Sequence, residues 1–299
     1  MEPAKLIDGK AAAERLREQL VHRVAKLRSS CGVTPALAVI SVGSSAVPSM
    51  YVDSQLRACA TAGVKSTSVL VPESVTISEL LDVIGRFNAD PTVHGIVVEL
   101  PLPGNIDVRR VLQGISIGKD VDGFHFHDAG DLAAGDAVIR SCASLGVLRL
   151  LESEGVAIAR RNVVIVGAGN TVGRSMGLML LQHGATVSIC HANTRDLAQY
   201  TIIADILIVA AGRPRLIVPS MVKTGAVVID AGINRLPDGS ITGDVEYNGV
   251  RVKASRITPV PGGVGPMTVG MMLENTVVAA ELTQAGVGSM LTPPAAVPL

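Results

Sequence analysis

The chain has 299 residues, 26 basic and 26 acidic, so its formal net charge is zero. That balance gives no electrostatic footprint for nucleic acid or an acidic membrane, and aromatics at 2%, with no Trp, leave no stacking platform for single strands. Hydrophobic residues at 48% and 31 glycines suit two α/β domains with buried parallel strands.

Asp8 can cap a helix whose apolar positions Leu16, Leu20, Val24 and Leu27 share one face. Leu37 to Val42 reads as a buried strand. Residues 45 to 62 read as a helix that stops at Gly63. Val69 and Leu70 begin a second strand, 78 to 89 a helix, and Gly95 to Glu99 a third strand. This β-α-β-α-β alternation predicts a parallel, right-handed sheet. A Gly- and Asp-rich stretch runs from Lys119 to Asp136, and a helix over 146–154 leads into a second unit. There, Asn162 to Val166, Thr186 to Cys190, Ile206 to Ala210 and Ala226 to Ile229 read as strands, with Thr171 to His183 as a helix. A last helix spans about 268–282, and the Ala-, Gly- and Pro-rich tail after Leu282 reads as frayed. Cys31, Cys59, Cys142 and Cys190 form no CxxC pair and read as free thiols in a reducing compartment. No apolar run reaches the roughly 18 residues of a membrane span, and the N-terminus reads without a leader. A cytoplasmic protein with no membrane or nucleic-acid partner is expected.

The strand ending at Val166 runs into Gly167-Ala168-Gly169-Asn170-Thr171-Val172-Gly173 and then a helix. Gly167 would make the tight turn, and Gly169 would admit a diphosphate to the helix N-terminus. A ribose carboxylate belongs roughly 20 residues on. That region reads Cys190-His191-Ala192-Asn193-Thr194-Arg195, with no acid before Asp196. The absence favours NADP over NAD, with Arg174 or Arg195 meeting the 2′-phosphate.

Tyr51 and Gln55, spaced i, i+4, share a helix face. Glu99 ends an apolar strand, where α/β proteins bind ligands, and is flanked by Val98 and Leu100. Asp120 and Asp122 lie two residues apart in a polar loop, a pattern equally suited to turn capping. His125 and His127 can share a strand face, but a third ligand is missing and no metal is expected. Residues 258 to 268 hold three prolines and three glycines in eleven positions. Pro259 and Pro261 lock φ, while Gly262, Gly263 and Gly265 permit positive φ and close approach of a ligand, so the whole run reads as a loop of fixed shape.

From Ile7 to Thr276 the chain resembles the methylenetetrahydrofolate dehydrogenase/cyclohydrolase family. It keeps the family's tyrosine at Tyr51, the KDVDG loop at Lys119 to Gly123, the DxGIN turn at Asp230 to Asn234, Gly243-Asp244, and the TPVPGGVGPMT signature at 258–268. The resemblance implies two three-layer α/β domains, the second Rossmann-like, with the C-terminal helix returning to the first. Their extents would be 1–145 plus 268–299, and 146–267. It further implies folate held between the domains, Asp122 bonding the pterin, Tyr51 stacking on the aminobenzoyl ring, and a homodimer formed through the second domain. The expected substrate set is Tyr51, Val98, Leu100, Asp122, Pro261, Gly262 and Gly263. The expected cofactor set is Gly167, Ala168, Gly169, Gly173, Arg174, His191, Ala192, Thr194, Gly232 and Ile233.

Departures from the family pattern fall on chemistry. The lysine of YxxxK is Gln55, and the glutamine of VQLPLP is Glu99. PCTP is Ser141-Cys142-Ala143-Ser144. In the GRSxxVGxP loop the arginine is Ala168, the first serine Gly169 and the proline Ser175, and the serine three residues before the tyrosine is Pro48. Hydride transfer asks chiefly for orientation. Methenyl hydrolysis also needs proton management, and Gln55 cannot titrate. The expected catalytic set is Tyr51, Gln55, Glu99 and Asp122. The expected activity is a 5,10-methylenetetrahydrofolate dehydrogenase, using NADP or else NAD, with weak or absent cyclohydrolase. The alternatives are a fully bifunctional enzyme, a non-catalytic folate- or nucleotide-binding paralogue, and a dehydrogenase for a different one-carbon or C–N substrate.

Overall fold

A computed structural model describes residues 3–43 and 46–285, with the backbone alone at 46–50 and 126. The chain divides into two compact units. We call residues 15–142 with those from 269 onward the first unit, and residues up to 14 with 143–268 the second. Pro48 and the tail beyond 285, both singled out from sequence, lie where side chains or backbone are outside the description.

The chain opens with β1 (Lys5–Leu6) and α1 (Gly9–Cys31). Asp8 Oδ1 accepts from the Ala11 amide at 3.0 Å, and Leu20, Val24 and Leu27 are buried on one side of α1. Next come β2 (Ala36–Val42), α2 (Ala46–Ala62), β3 (Lys65–Val71), α3 (Ile77–Ala89) and β4 (Gly95–Val98). The three strands form a parallel sheet ordered β3-β2-β4, with Val39 opposite Ser68 on one side and Val97 on the other. β2 is central and buried from Ala36 to Ser41, so it reads as one apolar run. Ala38, Ile40, Ile96 and Val98 pack against Leu80 and Ile84 of α3, which Thr76 and Glu79 begin with reciprocal capping bonds.

β3 starts at Lys65, four residues before the apolar pair Val69-Leu70 that marks it in the sequence. It is an edge strand whose first four residues are exposed and polar, so no apolar pattern announces them. After α4 (Val108–Gln113), the Gly- and Asp-rich stretch contains a helix, α5 (Phe126–Ala134). His125 Nδ1 caps it by accepting from the His127 amide, and Gly135 ends it at φ 97°. His125 and His127 therefore do not share a strand face, and His127 Nδ1 lies 3.0 Å from Asp131 Oδ2.

The second unit continues through α6 (Cys142–Ser153), β5 (Asn162–Val166), α7 (Ser175–Gln182), β6 (Thr186–Cys190), α8 (Leu197–Thr201), β7 (Ile206–Val209) and β8 (Val227–Asp230). A hairpin follows, β9 (Asn234–Arg235) with β10 (Ile241–Thr242), and then α9 (Tyr247–Lys253) and β11 (Arg256–Ile257). Six parallel strands pair in the order β1-β11-β8-β7-β5-β6. Val164, Val166, Leu207, Val209 and Val228 share one core with Ile257. β1 and β11 are two residues each, too short for periodicity to reveal. Because β1 pairs with β11, residues up to 14 go with this unit and not with the first domain, where the sequence reading put them.

The last helix, α10 (Val264–Gln284), begins inside the proline- and glycine-rich run, which is thus a loop only to Gly263. Pro266 sits in the first helical turn, where an amide has no intrahelical partner to lose.

Candidate active site

In the first unit, three elements bring Tyr51, Gln55, Glu99 and Asp122 together. α2 carries Tyr51 and Gln55 one turn apart. β4 delivers Glu99, whose amide donates to the Ile40 carbonyl at 2.9 Å and so extends the ladder by one residue. Gln55 Nε2 donates to Glu99 Oε1 at 2.8 Å, and both side chains are buried, at 2% and 9% exposure. Gln55 Oε1 has no hydrogen-bond partner among the described residues, although the amide is near enough to act on the Tyr51 hydroxyl. Burial raises the Glu99 carboxyl above its ordinary range, and the Gln55 amide opposes that rise. Burial, with Asp122 and Glu99 nearby, raises the half-buried Tyr51 phenol far above its usual range. Glu99 and Asp122 have no Lys or Arg ion pair among the described residues.

The loop that presents Asp122 is built by Asp120. This fully buried carboxylate accepts the amides of Asp122 at 3.2 Å, Gly123 at 3.1 Å, Phe124 at 2.8 Å and His125 at 2.6 Å. Turn capping therefore describes Asp120 and not Asp122. Lys119 turns away, its Nζ donating to the carbonyls of Phe87, Asn88 and Asp90 at the end of α3. Loss of hydration pushes Asp122 up to about 7, helped by the charges of Asp120 and Glu99.

Sequence reasoning missed Asn275. From α10 its Nδ2 donates to the carbonyls of Val121 at 2.8 Å and Arg140 at 3.0 Å, and lies 3.5 Å from Cys142 Sγ. Cys142 Sγ in turn donates to the Val121 carbonyl at 3.1 Å. The available signal was an amide between Glu274 and Thr276, a short polar run in a helix otherwise rich in apolar residues. Val98 is corrected: its side chain is in the apolar core, opposite in pleat to Glu99, so only its backbone can face a ligand. Leu100 packs half-buried against that core. Among the described residues no group of three ligating side chains could hold a metal.

In the second unit, the glycine loop divides its tasks. Gly167 has φ 118°, and a Cβ there would strike the Ala210 carbonyl. A Cβ at Gly173 would strike the Gly167 carbonyl, so this glycine sets close packing of turn and helix. Gly169 is exposed, with nothing nearer its Cβ position than Thr171 Oγ1 at 3.8 Å, which leaves its backbone open to a ligand. The dinucleotide fingerprint places two residues between its second and third glycines, whereas this loop has three. The extra residue is absorbed in a π-helical turn at Asn170–Arg174. This cradle fits a diphosphate. Arg174 is folded back, its Nε donating to the Ala168 carbonyl at 3.1 Å.

After β6, His191 and Thr194 close a small turn in which the Thr194 hydroxyl accepts the His191 amide at 2.8 Å. Ala192 and Arg195 are exposed there, and Asp196 is engaged by Gln199 Nε2 at 2.7 Å. Asp230 Oδ1 accepts the amides of Gly232 at 2.9 Å and Asp244 at 3.0 Å, which fixes the turn that leaves Ile233 63% exposed. Thr258 Oγ1 accepts the Asp230 amide at 2.7 Å and starts the Pro261-Gly262-Gly263 loop. Gly262 has φ 110°, and a Cβ at Gly263 would crowd Thr258 and Pro259. Pro261 is exposed.

Residues 7–122 match the family model for the tetrahydrofolate dehydrogenase/cyclohydrolase catalytic domain, and residues 141–284 match that for its NAD(P)-binding domain. The chain is 49% identical over 278 residues to the bifunctional protein FolD of Bordetella bronchiseptica, covering 93% of this chain and 98% of the relative. It is similar to the crystal structure of the bifunctional enzyme FolD from Campylobacter jejuni, with TM-score 0.91, 46% identity and coverage of 94% and 99%. The Trypanosoma brucei enzyme, solved with NADP and an inhibitor, matches at TM-score 0.91 and 35% identity, covering 95% and 99%. The names of the relatives favour the fully bifunctional alternative over the expectation of a weak or absent cyclohydrolase. This chain belongs to the tetrahydrofolate dehydrogenase/cyclohydrolase family and is an oxidoreductase of folate one-carbon metabolism.

Proposed function

We propose that the chain is a 5,10-methylenetetrahydrofolate dehydrogenase/methenyltetrahydrofolate cyclohydrolase in which hydrolysis is slower than hydride transfer. The observation behind this reading is the bond from Gln55 Nε2 to Glu99 Oε1, which puts an amide where a titrating amine would manage protons. Tyr51 and Asp122 orient the folate, and Asp122 accepts from the pterin. The Gly167–Gly173 loop would hold NADP, which would supply the hydride acceptor. Glu99 sets a carboxylate beside the carbon that becomes a methenyl cation, which stabilises that cation and makes hydroxide attack on it harder.

The test mixes purified protein with methylenetetrahydrofolate and each nicotinamide while following reduced nucleotide and methenyl absorbance together. The two signals should rise together, and the methenyl signal should decay more slowly than it formed. Hydrolysis as fast as formation would make the enzyme fully bifunctional with Glu99 as base. Folate binding with no turnover would select the non-catalytic reading.

Two further properties belong to this reading. The pairing partner is a second copy, joined through the second unit, whose edge strand β6 and helix α7 expose Ile189 and Leu181. Light scattering should give a dimer, and Leu181→Asp should give a monomer. The compartment is the cytoplasm, in keeping with the free, buried Cys59, Cys142 and Cys190.

A further inference from the structure

The glycine loop has no side chain of its own to hold its shape at Gly167, Gly169 or Gly173, and it runs into a π-helical turn at Asn170–Arg174, a rare local geometry. The carbonyls of Asn170, Thr171 and Val172 lie on this turn, and that of Val172 already accepts the Ser175 amide. Two hydroxyls from different helices meet them. Ser144, fully buried in the first turn of α6, lies 2.7 Å from the Oγ of Ser175, the first residue of α7. Ser144 Oγ also lies 3.2 Å from the Val172 carbonyl and 3.5 Å from that of Thr171. Ser175 Oγ lies 3.2 Å from the Val172 carbonyl and 3.4 Å from that of Asn170.

Two hydroxyls carry two protons. One is donated to the Val172 carbonyl and the other to the neighbouring hydroxyl oxygen, so the pair is satisfied within the loop. Neither group is spare for chemistry, which makes both positioning residues. Their reach is short. Val172 adjoins Gly173, Gly173 packs on the Gly167 carbonyl, and Gly167 opens the turn that leaves Gly169 free for a ligand.

We infer that Ser144 and Ser175 form a hydroxyl latch that holds the glycine loop in its nucleotide-binding shape, so that nucleotide affinity depends on the pair acting as one unit. A loop ordered before binding loses less entropy when the ligand arrives. The inference rests on the second unit being the nucleotide-binding one, and it adds to that reading two residues outside the glycine fingerprint.

The experiment is a set of NADPH and NADH titrations on the full chain: wild type, Ser144→Ala, Ser175→Ala, the double variant, and Ser175→Thr. Each single alanine should raise the nucleotide Kd three- to tenfold, with the loss in the nucleotide KM and not in kcat. The double variant should be within twofold of the weaker single, because one latch is broken only once. Ser175→Thr keeps the hydroxyl and should restore wild-type affinity within twofold. Unchanged Kd, multiplicative losses, or a parallel loss of tetrahydrofolate affinity would each overturn the latch. Should Ser144→Ala fail to fold, hydrogen exchange at amides 170–175 decides: faster exchange in Ser175→Ala supports the latch, and equal exchange overturns it.

Discussion

Gln55 and Glu99 meet at 2.8 Å, an amide donating to a buried carboxylate. The pair is self-consistent, because the donor covers part of a charge that burial would otherwise leave unpaired. A lysine at 55 beside a glutamine at 99 would be consistent in the opposite sense of charge. The exchange is therefore a coordinated one, and it changes the chemistry available without disturbing the fold around it.

The double change Gln55→Lys with Glu99→Gln should raise methenyl hydrolysis tenfold or more, a small part of the roughly 10²–10⁴ that a positioned proton-transfer group contributes. Hydride transfer should change less. Gln55→Lys alone should gain less than the double variant, because a Lys–Glu pair holds the amine charged. Stopped-flow decay of the methenyl absorbance measures all three. A single change that matches the double would remove the pairing argument.

Asp122→Ala should weaken folate binding and leave nucleotide binding nearly unchanged. A charge-assisted hydrogen bond is worth about 1.5–3 kcal/mol, so the folate Kd should rise roughly ten- to hundredfold. With Asp122 up at about 7, its accepting, ionised form appears as pH rises through neutrality. Wild-type folate affinity should therefore improve from pH 6 to pH 8, and Asp122→Asn should flatten that part of the profile. Calorimetry with tetrahydrofolate at the two pH values reads both.

Nucleotide discrimination should be modest. Ala168 offers no charge to a 2′-phosphate, and Arg174 is engaged with the Ala168 carbonyl, which leaves the exposed Arg195. Its replacement by Ala should erase most of the NADP preference while the NAD affinity holds. An NADP preference above roughly a thousandfold, about 4 kcal/mol, would mean that another cation binds the phosphate.

Asp128 should make the protein lose stability toward alkaline pH. It is buried on α5, its Oδ2 has no hydrogen-bond partner among the described residues, and burial with Asp120 and Asp131 nearby raises it to about 8. Below about pH 4 both folded and unfolded states hold this proton. Between about 4 and 8 only the folded state holds it, so stability falls across that window and levels off above it, by at most about 5 kcal/mol. Asp128→Asn should raise Tm at pH 8.5 and reduce the slope of Tm between pH 5 and 8.5. A parallel slope in the variant would place the cause elsewhere.

Much of this fold is legible in the sequence. The apolar runs of β2, β4, β5 and β7 are continuous because parallel strands are buried on both faces, so composition alone marks them. The turn at Gly167 was legible because positive φ and a close backbone neighbour leave few residues to choose from. Glu99 stands out in the sequence as a carboxylate ending an apolar strand, whereas Tyr51, Gln55 and Asp122 stand out only by helical spacing and by the family's motifs. What stayed hidden was decided at long range. β1 and β11 are two residues long and form by pairing at long range, β1 with β11 some 250 positions on and β11 with β8 as well. α5 lacks an apolar run to announce it, and its His125 cap and Gly135 stop show only once the loop is folded. Asp120 and Asp122 look alike in sequence, yet one is spent on four amides and the other is presented to the site, a choice made by where the loop's N–H groups converge. Asn275 and the Ser144–Ser175 pair join segments about 150 and 31 residues apart. The sequence by itself determined which chemical groups this protein owns and the elements that carry them, because periodicity and backbone freedom are local properties. Only the tertiary structure decided which of those groups meet, because a hydrogen bond between distant residues leaves no trace until the chain has brought them within 3 Å.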